Sequence, residues 1–231
     1  MPPKDDSSDD SDEEDVRQFK VILLGNGAVG KTSIATRFAQ DSFNQSYKQT
    51  IGLDFFLKNL TLPGDIQVAL QLWDIGGQTI GGKMIKKYIY GAHAVVLCYD
   101  VTNADSFADL EDWYRLVKKS FGDEKLPFCV LLGNKTDLNH MRAVTEVKAR
   151  NYAAENSFLD LNVSAKSGDK VDLVFTQIAA ALCGVIMQKS ELDSQTAVVT
   201  AAITNHQQHD DEVHGGAVPE YTKKKAGCTL S

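Results

Sequence analysis

Continuous apolar runs and helical periodicity alternate along the middle of the chain. The longest apolar runs are Phe19–Leu24, Ala94–Tyr99 and Phe128–Leu132, as expected of central parallel strands that are covered on both faces. Between the last two runs, apolar residues recur at helical spacing at Phe107, Leu110, Tyr114, Val117 and Phe121. Alternating strands and helices predict an α/β fold with a mostly parallel sheet and right-handed crossovers.

Shorter runs complete this pattern. They predict three further strands and two further helices: Lys58–Leu62, Ile66–Trp73 and a strand around Phe158–Val163, with helices near Thr145–Asn156 and Val171–Met187. Pro63, Gly64 and Asp65 form a turn sequence between the first two of these strands, which predicts a strand pair. The sheet should therefore have six strands, within a domain covering residues 17–189.

Charge separates this domain from the two ends of the chain. Residues 1–15 hold eight acids and one lysine, which accounts for the whole net charge of −7. Such a block cannot build a core, so residues 1–16 are predicted to be a disordered arm. The arm is either a solubilising tail or, through Ser8 and Ser11, a substrate of an acid-directed kinase. Residues 190–231 are predicted to be a disordered polar tail.

Two classes of protein are disfavoured by composition. No apolar run approaches the roughly 18 residues of a membrane-spanning helix, and the N-terminus does not resemble a signal peptide. The four scattered cysteines form no CxxC pair, which favours a reducing compartment, the cytosol.

A glycine-rich loop follows the first predicted strand and precedes a helix. The sequence from Gly25 to Thr32 fits GxxxxGK[ST], whose backbone N–H groups converge on a phosphate. Lys31 would reach the β- and γ-phosphates and Thr32 would ligate Mg²⁺. The candidate phosphate-binding residues are Gly25, Gly27, Ala28, Val29, Gly30, Lys31, Thr32 and Ser33. The motif alone indicates a nucleoside triphosphate.

A second motif predicts which base is bound. Asn134, Lys135 and Asp137 form an NKxD sequence after the Phe128–Leu132 strand. A carboxylate there can accept two hydrogen bonds from guanine, and adenine would leave it unpaired, which is costly. Lys135 would lie along the base and Asn134 would tie its loop to the phosphate loop. Ser164, Ala165 and Lys166 end the last strand and would present a backbone N–H to the guanine O6.

Four glycines lie close together just after an apolar run. Gly76, Gly77, Gly81 and Gly82 stand where a helix should begin, and each weakens a helix by roughly 1 kcal/mol relative to alanine. The segment is either a plain loop or one that changes order when a ligand binds.

Together these motifs resemble those of the Ras-type small GTPases, over nearly all of residues 19–189. The resemblance implies a P-loop NTPase G domain and gives the glycine-rich segment the role of the second switch. It also assigns further roles. Thr50 binds Mg²⁺ and the γ-phosphate, Phe43 stacks on guanine, Asp74 holds Mg²⁺ through water, Gly77 meets the γ-phosphate and Gln78 positions the attacking water. Asn44 and Tyr47 are further nucleotide-binding candidates.

Within this superfamily the chain resembles the Rab family, and most closely its divergent subfamily number twenty-eight. Phe55, Trp73 and Tyr88 match the aromatic triad that binds Rab effectors, although aromatic residues flanking a strand are equally expected in a core. Two departures stand out. Gly76 replaces the usual alanine, and the usual Gln-Glu-Arg-(Phe/Tyr) is here Gln78-Thr79-Ile80-Gly81.

The C-terminus also departs from most Rabs, which end in paired cysteines. This chain ends Cys228-Thr-Leu-Ser231, a CaaX box whose terminal serine favours farnesyl over geranylgeranyl. One isoprenoid gives only reversible membrane binding, to which Lys223, Lys224 and Lys225 would add attraction for anionic lipids.

The motifs and the resemblance imply a regulatory enzyme that hydrolyses GTP slowly with Mg²⁺. Its expected partners are effectors, an exchange factor, a GTPase-activating protein and a membrane, and we expect a monomer that binds no nucleic acid. The resemblance implies vesicle, endosomal or ciliary trafficking at the cytoplasmic face of membranes, with a cytosolic pool. Two other function classes stay open on the residues alone: a phosphotransferase, disfavoured by the base-reading motif, and a static nucleotide-binding scaffold, disfavoured by Thr50, Gly77 and Gln78.

Overall fold

The computed structural model describes residues 16–82 and 84–188 of the 231-residue chain. Six strands form one sheet in the order β2-β3-β1-β4-β5-β6. The strands are β1 (Arg17–Leu24), β2 (Leu53–Leu62), β3 (Ile66–Ile75), β4 (Ala94–Asp100), β5 (Phe128–Asn134) and β6 (Leu159–Asn162). Neighbouring strands are parallel except for β2 and β3, which form an antiparallel hairpin.

Helices cover both faces of the sheet. They are α1 (Lys31–Gln40), α2 (Ile85–Ile89), α3 (Ala104–Ala108), α4 (Leu110–Phe121), α5 (Glu146–Asn156) and α6 (Val171–Cys183), with 3-10 turns at Gly77–Thr79 and Thr136–Met141. Side chains of β1 alternate between the two faces: Val21 and Leu23 join a core with α1 and α6, whereas Ile22 and Leu24 join a core with α2 to α5. The prediction of a mostly parallel six-stranded α/β sheet is confirmed.

Three differences from the sequence prediction exceed the one or two residues by which other element ends deviate. Helix α6 ends at Cys183 instead of Met187, because Gly184 adopts a left-handed conformation (φ +70°) and its N–H closes the last turn on Ala181. Strand β2 begins at Leu53, five residues earlier than predicted, because Leu53 to Leu57 complete the antiparallel ladder with β3.

The third difference divides the helical repeat that begins at Phe107. The structure has two helices, α3 and α4, which meet at Asp109, whose carbonyl accepts from both Asp112 N and Trp113 N.

Burial makes the thiols of two of the cysteines unreactive. Cys98 on β4 and Cys129 on β5 are buried, and burial raises the pKa of each thiol to about 12. Within residues 16–82 and 84–188, no helix is long and apolar enough to cross a membrane.

Several predictions concern residues outside those the structure describes. They are the acidic arm with Ser8 and Ser11, the polar tail of residues 190–231, Lys223 to Lys225 and the CaaX cysteine Cys228. These stay predictions, as do the proposed domain boundaries.

Candidate functional site

A cavity of about 510 Å³ opens at the carboxyl ends of the parallel strands, between loops from five parts of the chain. Ligands of open α/β sheets bind at this edge, where the strand order reverses. Most of the sequence-predicted residues line this cavity: Gly27, Ala28, Gly30, Lys31, Thr32, Ser33, Phe43, Asn44, Tyr47, Thr50, Gly77, Gln78, Asn134, Lys135, Asp137, Ala165 and Lys166. Four others, Gly25, Val29, Asp74 and Ser164, lie behind this lining and are buried.

The loop from Gly25 to Thr32 passes directly into α1. Gly25 (φ +140°) packs on the Cys98 carbonyl and Gly30 (φ +96°) packs on the Asn134 amide, and a Cβ at either position would collide with these atoms. Lys31 follows Gly30, and its Nζ donates to the carbonyls of Gly25 and Asn26, both at 2.8 Å. Burial lowers the pKa of Lys31, because it disfavours the charged amine. A nearby anion would oppose this effect and favour the charged form. The loop is thus shaped for an anionic ligand.

Oxygen atoms from three separate elements converge beside this loop. Thr32 Oγ1 lies 2.8 Å from Thr50 Oγ1, and Asp74 Oδ2 accepts from Thr32 at 2.5 Å and from Thr50 at 3.3 Å. The other Asp74 oxygen, Oδ1, is buried and has no partner among the described residues. Burial raises the pKa of Asp74, and hydrogen bonds from Thr32 and the Lys31 charge oppose this rise. Two hydroxyls and a carboxylate with an orphaned oxygen form a donor set that fits Mg²⁺.

Hydrogen bonds connect the loops that form the other end of the cavity. Asn134 is buried; its Nδ2 donates to Val29 O at 2.9 Å and its Oδ1 accepts from Ala165 N at 3.1 Å. Asp137 Oδ1 accepts from Ser164 Oγ at 2.7 Å. We name the two ends after the parts of the nucleotide that the sequence predicts for them. The base end is Asn134, Lys135, Asp137 and residues 164–166, and the phosphate end is the loop from Gly25 to Thr32 with Thr50 and Asp74–Gln78.

The segment after β3 lies directly against the phosphate loop. Gly76 N donates to Gly52 O at 2.9 Å, and a Cβ on Gly76 would lie 2.5 Å from Thr50 O. Gly77 packs so closely on the peptide between Asn26 and Gly27 that a Cβ there would overlap it. These glycines therefore permit contacts that a side chain would prevent.

The chain is similar to known proteins over most of its length. A family model described as the Ras family matches residues 20–183. The chain is a Ras-family small GTPase. The Ras-related protein Rab-28 of Caenorhabditis elegans is 43% identical over 212 residues, which cover 91% of this chain and 86% of that relative. The chain is therefore a Rab-type small GTPase close to Rab-28, and members of this family hydrolyse GTP. The predicted family, fold and enzyme class are confirmed.

The aromatic residues assigned to effector binding lie outside the cavity of this GTPase. Phe55 and Trp73 are partners across β2 and β3, and their rings meet edge to face with centroids 6.2 Å apart. Phe55 is 53% exposed, whereas Trp73 and Tyr88 are half-buried against the core formed with α2 to α5. The triad thus combines one exposed ring with two rings that also serve packing, and its effector role stays a prediction.

Sequence reasoning missed two residues that position the base end of the GTPase. Arg37 on α1 donates through Nε to Ala165 O at 3.0 Å and through Nη2 to Lys166 O at 2.9 Å. Asp100 ends β4, and its carboxylate forms an ion pair with Lys135 Nζ at 2.7 Å. Its place at the carboxyl end of a buried strand could have identified Asp100. The role of Arg37 depends on α1 packing near a loop about 130 residues later, and no local signal marks it.

Proposed function

We propose that the cavity binds GTP and GDP together with Mg²⁺, so that hydrolysis switches the protein between two states. The observation that carries this proposal is the convergence of Thr32, Thr50 and Asp74 at the phosphate end, with the Asp74 Oδ1 atom orphaned. Thr50 belongs to the segment before β2. A complex of Mg²⁺ and nucleotide held by all three residues would therefore order that segment when it binds.

Each residue at the phosphate end has a definable task in this proposal. Lys31 would exchange its carbonyl partners for phosphate oxygens, and Thr32, Thr50 and Asp74 would hold the cation. Mg²⁺ would neutralise charge that develops on the phosphate oxygens. Gly77 N–H would meet the γ-phosphate, and the exposed Gln78 amide, on the cavity wall, would orient the attacking water.

The base end would select guanine. In this proposal Asp137 accepts from the N1–H and N2–H₂ donors of the base, and Phe43 and Lys135 flank the ring. Asn134 and Ser164 hold this arrangement in place through the bonds described above.

Nucleotide selection tests the proposal. Asp137→Asn should weaken GTP binding at least tenfold and raise affinity for xanthosine triphosphate, because an amide presents a donor where the carboxylate accepts. Fluorescent nucleotide displacement measures both affinities. Asp123→Asn, at an exposed position in the loop after α4, is the matched control and should bind as the wild type does. A variant that rejects xanthosine triphosphate and retains full GTP affinity would refute the assignment.

Intrinsic hydrolysis tests the role of Gln78 separately. Gln78→Leu should retain guanine-nucleotide binding but lower the single-turnover rate at least tenfold, because the water loses its orienting amide. An unchanged rate would remove Gln78 from catalysis.

We further propose that the GTPase acts at membranes in vesicle, endosomal or ciliary trafficking. In this proposal, farnesyl on Cys228 and the charges of Lys223, Lys224 and Lys225 hold a reversible membrane pool, and the GTP form recruits effectors. Similarity to Rab-28 and the C-terminal CaaX sequence support it. Cys228→Ser should abolish co-sedimentation of the prenylated preparation with anionic liposomes. Replacing the three lysines with alanine should weaken retention on anionic but not neutral liposomes. Retention of the serine variant would refute lipid anchoring.

A further inference from the structure

Asn26, in the phosphate loop, forms hydrogen bonds through both the oxygen and the nitrogen of its side-chain amide to a distant helical junction. Its Oδ1 accepts from Trp113 Nε1 at 3.0 Å, and its Nδ2 donates to Asp109 Oδ2 at 2.6 Å. Trp113 is fully buried on α4, and Asp109 lies between α3 and α4. The loop is therefore fastened from outside the cavity, by residues that do not line it.

The use of Asp109 in this contact is unusual for its position. Asp109 is the N-cap of α4, where an aspartate side chain commonly accepts from a backbone N–H of the first turn. Its side chain makes no such capping bond and binds Asn26 instead. The carboxylate therefore serves the phosphate loop in place of its own helix.

The peptide that follows Asn26 is the point where several parts of the phosphate end meet. The Asn26 carbonyl accepts from Lys31 Nζ, and Gly77 packs on the peptide bond to Gly27. A Cβ on Gly27 would lie 3.6 Å from Tyr47 Oη and 3.9 Å from Gln78 Nε2. Segments before β2 and after β3 thus both approach the peptide whose position the Asn26 amide fixes.

We infer that Asn26, Asp109 and Trp113 are positioning residues for the GTP state of the phosphate end. The bonds from α3 and α4 hold the Asn26–Gly27 peptide where Gly77 and Gln78 close on it. Loosening these bonds should impair hydrolysis and GTP affinity more than GDP affinity, because GDP lacks the γ-phosphate that Gly77 and Gln78 would contact. The inference rests on the proposed function, since it assumes that this end of the cavity holds the γ-phosphate.

Variants outside the cavity test the inference. Trp113→Phe keeps an aromatic ring but removes the N–H donor, and Asp109→Ala removes the other partner without removing a capping bond. A single hydrogen bond typically changes an equilibrium by about threefold to tenfold. We therefore expect each variant to slow single-turnover hydrolysis and weaken a non-hydrolysable GTP analogue by this factor, with GDP affinity changed less than twofold.

Matched controls separate positioning from general damage. Asp105→Ala removes the same charge from an exposed site one turn earlier and should behave as the wild type. Asp109→Asn retains an acceptor oxygen and should restore most of the rate lost in Asp109→Ala, which keeps the test valid if Trp113→Phe does not fold. In a double-variant cycle, Asn26→Ala should make Asp109→Ala nearly silent.

A second measurement reports the bond itself. The chain has two tryptophans, so the indole N–H resonance of Trp113 can be assigned in ¹⁵N-labelled Trp73→Phe protein bound to GDP. Asn26→Ala should shift this resonance and speed its hydrogen exchange.

Three results would overturn the inference. They are an indole shift with unchanged hydrolysis, equal loss of GTP-analogue and GDP affinity, and equal effects of Asp105→Ala and Asp109→Ala. Failure of the wild type to bind guanine nucleotides would refute the proposed function itself, and this is seen before any variant is made.

Discussion

The two ends of the cavity differ in how far their own residues satisfy one another. At the base end, Asn134 bridges Val29 and Ala165, and Asp137 accepts from Ser164. At the phosphate end, the buried Asp74 Oδ1 has no partner among the described residues. Residues 44–49 are exposed beside it. The comparison indicates that the base end is built by the fold, whereas the phosphate end keeps a buried carboxylate oxygen that, under the proposed function, Mg²⁺ and the nucleotide would satisfy.

Under the proposed function, this difference would suit a switch that must keep its specificity while changing its state. A preorganised base end costs little further ordering when the nucleotide binds. The phosphate end would then respond to the γ-phosphate, because only a ligand that supplies the missing contacts would stabilise the GTP state.

The largest effect is expected from breaking the base end. Asn134→Ala would leave Val29 O and Ala165 N unsatisfied in a buried place, which should lower the free energy of unfolding by about 2–4 kcal/mol. Urea denaturation of the GDP-bound protein measures this change. Asn151→Ala, at an exposed position on α5, should stay within about 0.5 kcal/mol of the wild type. A similarly small effect at Asn134 would contradict the view that the base end is built by the fold.

A smaller, state-dependent effect is expected at the phosphate end. In Gly76→Ala the new methyl group would lie 2.5 Å from Thr50 O, so the backbone at Thr50 or at Gly76 must shift, which would disturb the contacts of Thr50 with Thr32 and Asp74. We expect the affinity for a GTP analogue to fall about tenfold, or about 1.4 kcal/mol, with little change for GDP. Isothermal titration with Mg²⁺ present measures both affinities.

Gly81→Ala is the control for this change, because a Cβ at that position meets open space. If both alanine variants lose GTP-analogue affinity equally, helix propensity and not the approach of Thr50 explains the result.

The smallest effect concerns the link between Asp100 and Lys135. Burial alone would raise the pKa of Asp100, but hydrogen bonds from Lys135 and Thr102 outweigh it and leave the pKa below its usual range. The ionised pair therefore stabilises the fold above the unfolded-state pKa of about 4, and this contribution is lost as the pH falls through the folded-state pKa.

Asp100→Asn should accordingly lower the free energy of unfolding by about 1 kcal/mol at pH 7, a modest figure because Lys135 is partly exposed. Unfolding measured between pH 7 and pH 3 should show the two proteins converging at the acid end. A difference that stays constant over this range would show that the charge of Asp100 contributes nothing.

The fold was largely predictable because its central strands are buried on both faces and read as continuous apolar runs. The errors have two sources, one local and one tertiary. Val185, Ile186 and Met187 extend an apolar pattern, but Gly184 has already ended α6. Leu53 to Leu57 show little burial, and their strand exists because β3 pairs with them.

The candidate site divides in the same way. Phosphate and base motifs have fixed local spacing, so their residues could be identified one by one. The amide of Asn26 and the guanidinium of Arg37 act on partners more than 80 residues away, and only the packed helices bring those partners near. The spacing of residues along the sequence therefore does not predict these contacts.

The short edge strand β6 has a consequence for how the protein is made. Its four residues pair with β5 and carry Ser164 to Lys166 to the cavity, so the binding site is incomplete until this late segment has docked. A nascent chain that has emerged only to α5 would lack part of the base end. If the cavity binds guanine nucleotide as proposed, binding would stabilise the completed fold by mass action, by about 4 kcal/mol at a thousandfold excess over Kd. Guanine nucleotide would thus act as a folding ligand before it acts as a signal.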